Sequence, residues 1–140
     1  MYIGQYHYSI DAKNRLFLPV QFRGSIKKFI LTQGQDGCLY LYDPAGWKTV
    51  LEKLDTMVLE DKNLERAFKR TLLSGAHEIA PDLQGRILIP KPLKEHAGIK
   101  IDVVIIGVGG RVELWDVRRW STYYKRADES FKQLAGKLEL

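Results

Sequence analysis

The chain has 140 residues, 45% hydrophobic and 28% charged, which suits one compact domain or two small repeats sharing a core and argues against disorder. Twenty-two Lys and Arg against 17 Asp and Glu leave a net charge of +5, which permits a polyanionic partner without identifying one. The longest apolar run, around Val103–Ile106, is far too short to cross a bilayer, and no basic segment followed by an apolar run opens the chain, so neither a membrane span nor export is expected.

In chain order, Tyr6–Ser9 and Leu16–Leu18 read as two strands around a tight turn at Ala12–Asn14. Pro19 closes the second strand and is placed to open a short helix, along which Phe22, Ile26 and Phe29 continue an apolar face. Two further strands form a hairpin around Gly34–Gly37. Cys38 is expected in the second of these as a small core hydrophobe; a single cysteine forms no internal disulfide, which fits a reducing, cytoplasmic setting. Asp43 is a natural N-cap with Pro44 at the first helical position, and Tyr42 with Trp47 stand at the spacing of a hydrophobic staple. One helix should run from Pro44 to about Met57, and a second from about Asp61 to Ser74 with Leu64, Phe68 and Leu72 on one face.

The chain then begins again. Asp11-Ala12-Lys13-Asn14-Arg15 followed by Leu16-Phe17-Leu18-Pro19 returns 71 residues later as Asp82-Leu83-Gln84-Gly85-Arg86 followed by Ile87-Leu88-Ile89-Pro90. Asn14 and Gly85 hold the position before the Arg, and these residue types most readily accept positive φ, so both turns require a left-handed residue there. Leu93 and Ala97 repeat the apolar helix face, and Gly98 reads as its stop. Gly107–Gly110 match the Gly34–Gly37 turn, and Trp115, Asp116 and Trp120 repeat the staple and the cap. A last helix, Val117 to about Leu138, sets Trp120, Tyr124, Ala127, Phe131, Leu134 and Leu138 in one stripe, which either packs on its own domain or meets another subunit.

Few of the tempting chemistries survive. Gly107–Gly110 lacks the following helix and the lysine of a nucleotide loop. His7, His77 and His96 have no ligand-like spacing with Cys38 or with one another, so no metal and no cofactor is expected. Asp11 and Asp82 each have an Arg four residues on, which favours the charged carboxylate and removes the tuned acid that acid–base catalysis needs, so no enzyme is expected. The Asp-x-x-x-Arg unit has two compatible readings. Asp11 and Asp82, with Gly85, shape the turns, while Lys13, Asn14, Arg15 and Arg86 offer donors to DNA phosphates or to guanine. Only the first copy has a lysine at its tip, where the second has Gln84, so the first copy should bind more.

On these residues, together with Met1, Gly4, Leu72-Leu73-Ser74-Gly75-Ala76, His96-Ala97-Gly98 and Glu113-Leu114-Trp115-Asp116, the chain resembles the MraZ family, with two repeats of the AbrB/SpoVT kind. The resemblance covers nearly the whole chain; Asn14 departs from the family's usual Gly but tolerates the same φ. It implies an α+β fold of tandem, pseudo-symmetric swapped-hairpin β-barrel repeats with peripheral helices. The repeats would span 5–47 and 76–119, with a helical linker at 48–75 and a carboxy-terminal helix at 120–140. It further implies a cytoplasmic, nucleoid-associated regulator, a repressor of the division and cell-wall gene cluster. Such a regulator binds double-stranded DNA at direct repeats in a promoter and assembles as a homo-oligomeric ring. The rival reading is a ring-forming module whose partner is a protein; RNA binding also stays open, although no aromatic platform of the usual single-strand type is evident.

Overall fold

The computed structural model describes residues 1–140. In chain order the elements are β1 (Gln5–Ser9), β2 (Arg15–Phe17), α1 (Val20–Arg23), β3 (Phe29–Gln33), β4 (Leu39–Tyr42), α2 (Pro44–Thr56) and α3 (Lys62–Ser74). Then come β5 (His77–Ile79), β6 (Arg86–Leu88), α4 (Lys91–Ala97), β7 (Asp102–Gly107), β8 (Val112–Asp116) and α5 (Val117–Leu138). The fold is mixed α+β with antiparallel strands and five helices.

Strand pairing crosses between the repeats. β1 pairs with β7, from Gln5 opposite Ile106 to Ser9 opposite Asp102, and β5 pairs with β3. β4 and β8 join at the centre, giving a six-stranded sheet in the order β1-β7-β8-β4-β3-β5. β2 and β6 form a separate two-stranded ribbon with Leu16 directly opposite Ile87. Where the sequence led us to expect barrels, the hydrogen-bond ladders draw an open sheet edged by β1 and β5, plus this ribbon. The ribbon is short because Pro19 and Pro90, which have no N–H to donate, follow each of its strands closely.

The core sits between ribbon and sheet. Leu16, Leu18, Ile87 and Ile89 from the ribbon segments meet Leu31, Leu41, Val103, Ile105 and Leu114 from the sheet, with Phe22 and Leu93 closing the ends. A smaller cluster on the other face holds Cys38, Val104, Ile106 and Trp115 beneath Trp120 of α5. β7 is therefore buried on both faces, which explains its unbroken apolar run. Cys38 stands one residue before β4 rather than in it, because its N–H and thiol both point back to the Gln35 carbonyl of the turn. Burial pushes the thiol up to about 12, which makes it inert at neutral pH.

The caps form as expected. Asp43 accepts from the Gly46 N–H at 2.7 Å and Asp116 from Arg118 and Arg119 N–H, while Tyr42–Trp47 and Trp115–Trp120 pack at 5.7 and 5.3 Å between ring centroids. Arg119 adds a clamp that the sequence did not announce. Its guanidinium donates to the carbonyls of Gly37 at 3.0 Å and His96 at 2.9 Å, filling the space over Gly37 and Gly98 and tying α5 to both repeats. Beyond Trp120 the α5 stripe leaves its own domain: Tyr124, Phe131, Leu134 and Leu138 are all exposed. No helix is long and apolar enough to cross a membrane.

Candidate nucleic-acid interface

Each Asp-x-x-x-Arg segment closes on itself in the same way. Asp11 Oδ1 accepts the N–H groups of Lys13 at 2.9 Å and Arg15 at 2.8 Å, and its Oδ2 accepts Arg15 Nε at 2.7 Å. Asp82 repeats this with Gln84 and Arg86 N–H, each at 2.9 Å, and with Arg86 Nε at 2.8 Å. The return needs a left-handed residue, supplied by Asn14 at φ 61° and Gly85 at φ 84°. One carboxylate thus satisfies the turn and orients the Arg by its Nε, leaving the two terminal amines of each guanidinium without a partner in the chain.

The bonds that build the turn also set its titration. The backbone N–H of the Arg, then its guanidinium and the remaining turn N–H, hold both carboxyls below the ordinary aspartate range against an opposing effect of desolvation. A depressed folded-state value means that the turn's contribution is present above that range and is lost as pH falls through it. In Asp11→Asn/Asp82→Asn, the melting-temperature deficit relative to wild type should accordingly stay level from pH 6 down to about 4 and shrink as pH is lowered further. Parallel curves would show that the carboxylate charge is not what the turns use.

Alternation along β2 and β6 turns Leu16 and Ile87 inward, fully buried, and Arg15, Phe17, Arg86 and Leu88 outward. In register, Arg15 lies opposite Leu88 and Phe17 opposite Arg86, whose guanidinium carbon is 6.0 Å from the Phe17 ring centre. Because the strands run antiparallel, the tips carrying Lys13 and Gln84 lie at opposite ends of the ribbon. Lys13 is exposed, and all four residues expected to bind DNA lie on or beside this ribbon.

Two further cations join them, from α1 and α4. Lys94 Nζ donates to Asn14 Oδ1 at 2.9 Å, and the Arg23 guanidinium occupies the space where a side chain at Gly85 would begin. Arg23 and Lys94 are 71 residues apart, so the repeat offset was the signal that could have found them. The contact also qualifies Asn14: its carbonyl oxygen already accepts from Lys94, while its amide nitrogen has no partner in the chain and can donate to a ligand. Asn14 goes with Lys94 as Gly85 goes with Arg23. Gly85→Asn should therefore overpack the second turn by about 1–3 kcal/mol, and adding Arg23→Lys should recover most of the loss in urea denaturation. Additive losses in the double variant would refute the pairing.

A cavity of about 630 Å³ between the β3–β4 hairpin and α2–α3 is lined by residues such as Tyr40, Tyr42, Leu54, Phe68 and Arg111 and has no carboxylate, histidine or cysteine in its wall. No group of three His, Cys, Asp or Glu is placed to hold a metal ion.

Fold and site together define a tandem-repeat protein in which two Asp-x-x-x-Arg turns meet, antiparallel, on one ribbon. The family model for MraZ protein, described as antitoxin-like, matches the chain twice, over residues 1–71 and 72–138, in step with the 71-residue offset. The transcriptional regulator MraZ of Heliobacterium modesticaldum is 46% identical over 99% of this chain and 96% of its own length. Those of Caldanaerobacter subterraneus and Clostridium tetani are 47% and 43% identical, each over 99% of this chain and 97% and 96% of their own lengths. The chain belongs to the MraZ family.

Proposed function

We propose that this chain is a DNA-binding transcriptional regulator and not an enzyme, and that the β2–β6 ribbon is the surface that meets double-stranded DNA. The observation that carries the reading is the pair of guanidiniums, each fixed through Nε by an Asp and each presenting its free amines on one outward face. A two-stranded ribbon fits the major groove, where an Arg can donate to guanine O6 and N7. Lys13, Arg23 and Lys94 add charge for phosphates. The relatives' name, transcriptional regulator, agrees with this. The first repeat leads, because Lys13 has only Gln84 as its counterpart and because Arg86, unlike Arg15, lies against the ring of Phe17.

The finer reading is a repressor of the division and cell-wall gene cluster, working in the cytoplasm at the nucleoid on direct repeats in a promoter. Its architecture is a swapped-hairpin one, supported by the strands exchanged between repeats at 5–47 and 76–119; the linker at 48–75 and the helix at 120–140 lie outside them. The uncovered stripe of α5, with Leu64 and Phe68 of α3, supplies contacts between copies in a ring. A ring presents several ribbons at once, and evenly spaced sites then gain affinity through effective concentration.

Footprinting on the DNA upstream of the protein's own gene, paired with titrations across a salt series, tests this. Protection at evenly spaced short repeats is expected, with affinity falling steeply as salt rises because phosphate contacts release counterions. No protected site, with salt-independent retention of a protein, would favour the interaction-module alternative.

A further inference from the structure

Phe17 and Leu88 are 45% and 54% exposed on the ribbon's outward face. They occupy the same place in the two repeats, each two residues after the Arg of its motif. Leu16 and Ile87 already fill the inward positions, so alternation leaves 17 and 88 to solvent, where an uncommitted strand would carry polar side chains. Here both copies carry a large apolar one, on a face whose other members are two guanidiniums.

Resting on the ribbon reading above, we propose that Phe17 and Leu88 are specificity-determining residues that read thymine methyl groups. In the major groove thymine alone among the four bases presents an apolar group, while guanine offers the paired acceptors that suit an Arg. A face of two Arg and two apolar chains therefore matches a sequence mixing guanine and thymine, whereas phosphates alone would leave Phe17 and Leu88 idle. The spacing agrees. Residues i and i+2 of a strand lie about 6.7 Å apart, close to two base steps along one DNA strand at about 3.4 Å each. Methyl-sensitive positions should thus fall within two or three base pairs of the guanines that Arg15 and Arg86 contact. The Phe17 ring faces the Arg86 guanidinium, so these two should act on neighbouring bases.

The test uses the full chain and a duplex selected for tight binding from a random pool, with each thymine replaced in turn by uracil, which lacks only the methyl. Wild type should lose about fourfold in affinity at each contacted methyl. Phe17→Ser should lose a similar factor on the thymine duplex and nothing more when its methyl is absent, and Leu88→Ser should do the same at a different position. Uniform binding to all uracil duplexes, or losses that multiply, would overturn the inference. So would a change in sedimenting mass for Phe17→Ser, which would make that side chain a contact between copies. Arg15→Ala separates the levels: if it weakens binding while uracil does not, the ribbon reading stands and this inference falls; if neither matters, both fall.

Discussion

Arg15→Ala is expected to lower the affinity for specific DNA by about 10- to 100-fold while leaving the melting curve nearly unchanged. The size follows from one bidentate Arg–guanine contact, worth roughly 1–3 kcal/mol of discrimination, and grows where several copies bind together. The small effect on folding follows from exposure. The Asp11–Arg15 pair sits at the surface, where ion pairs contribute little, and Asp11 retains the N–H groups of Lys13 and residue 15. Arg15→Lys should separate charge from geometry. A lysine keeps the attraction to phosphate but cannot bond Asp11 through one nitrogen while presenting two others as a fork, so specificity falls more than non-specific binding. Lys13→Ala should weaken binding to all sequences alike and reduce the salt slope by about one. Arg86→Ala should cost less than Arg15→Ala. Anisotropy titrations on specific and scrambled duplexes at two salt concentrations, alongside thermal melts, decide among these. Unchanged affinity in Arg15→Ala would remove DNA from the ribbon.

How much of this was legible in the sequence depends on the range of the physics involved. The turns were readable because their causes are local: positive φ at Asn14 and Gly85, an Asp that caps its own loop, and a Pro that ends the strand. The helix starts at Asp43 and Asp116 were readable for the same reason. Strand partners were not. Gln5–Ser9 has no feature that names β7, about a hundred residues away, as its neighbour, and periodicity reports a strand's faces but not which strand lies beside it. Arg23 and Lys94 lay in α1 and α4, helices too short for pattern to say which way a side chain points. The α5 stripe was visible, yet spacing alone does not separate a face packed on its own domain from one left open.

The strand exchange has its own consequence for folding, and it is the larger structural effect. Within residues 1–75 the only strand pairing is β3 with β4; within 76–140 it is β7 with β8. Every ladder of β1, β2, β5 and β6 crosses from one half to the other. A chain divided between Gly75 and Ala76 should therefore give two fragments, neither of which folds as a monomer. Each alone would leave Leu16 or Ile87, both fully buried in the intact chain, facing water, together with the unpaired edges of a single hairpin. An isolated two-stranded hairpin is at best marginally stable, and loss of one large core contact already costs about 2–5 kcal/mol, a large part of a small domain's stability. Self-pairing offers each fragment one escape, since pseudo-symmetry lets a second copy supply the missing strands. Each fragment is thus expected to be either unfolded or a homodimer, and mixing the two should restore the circular dichroism spectrum of the intact chain. Sedimentation and circular dichroism across a concentration series report this directly. A folded monomer of either half would mean that the exchanged ladders do not hold the repeats together. The ribbon that carries Arg15 and Arg86 would then lose its physical basis, because β2 and β6 come from opposite halves and pair only with each other.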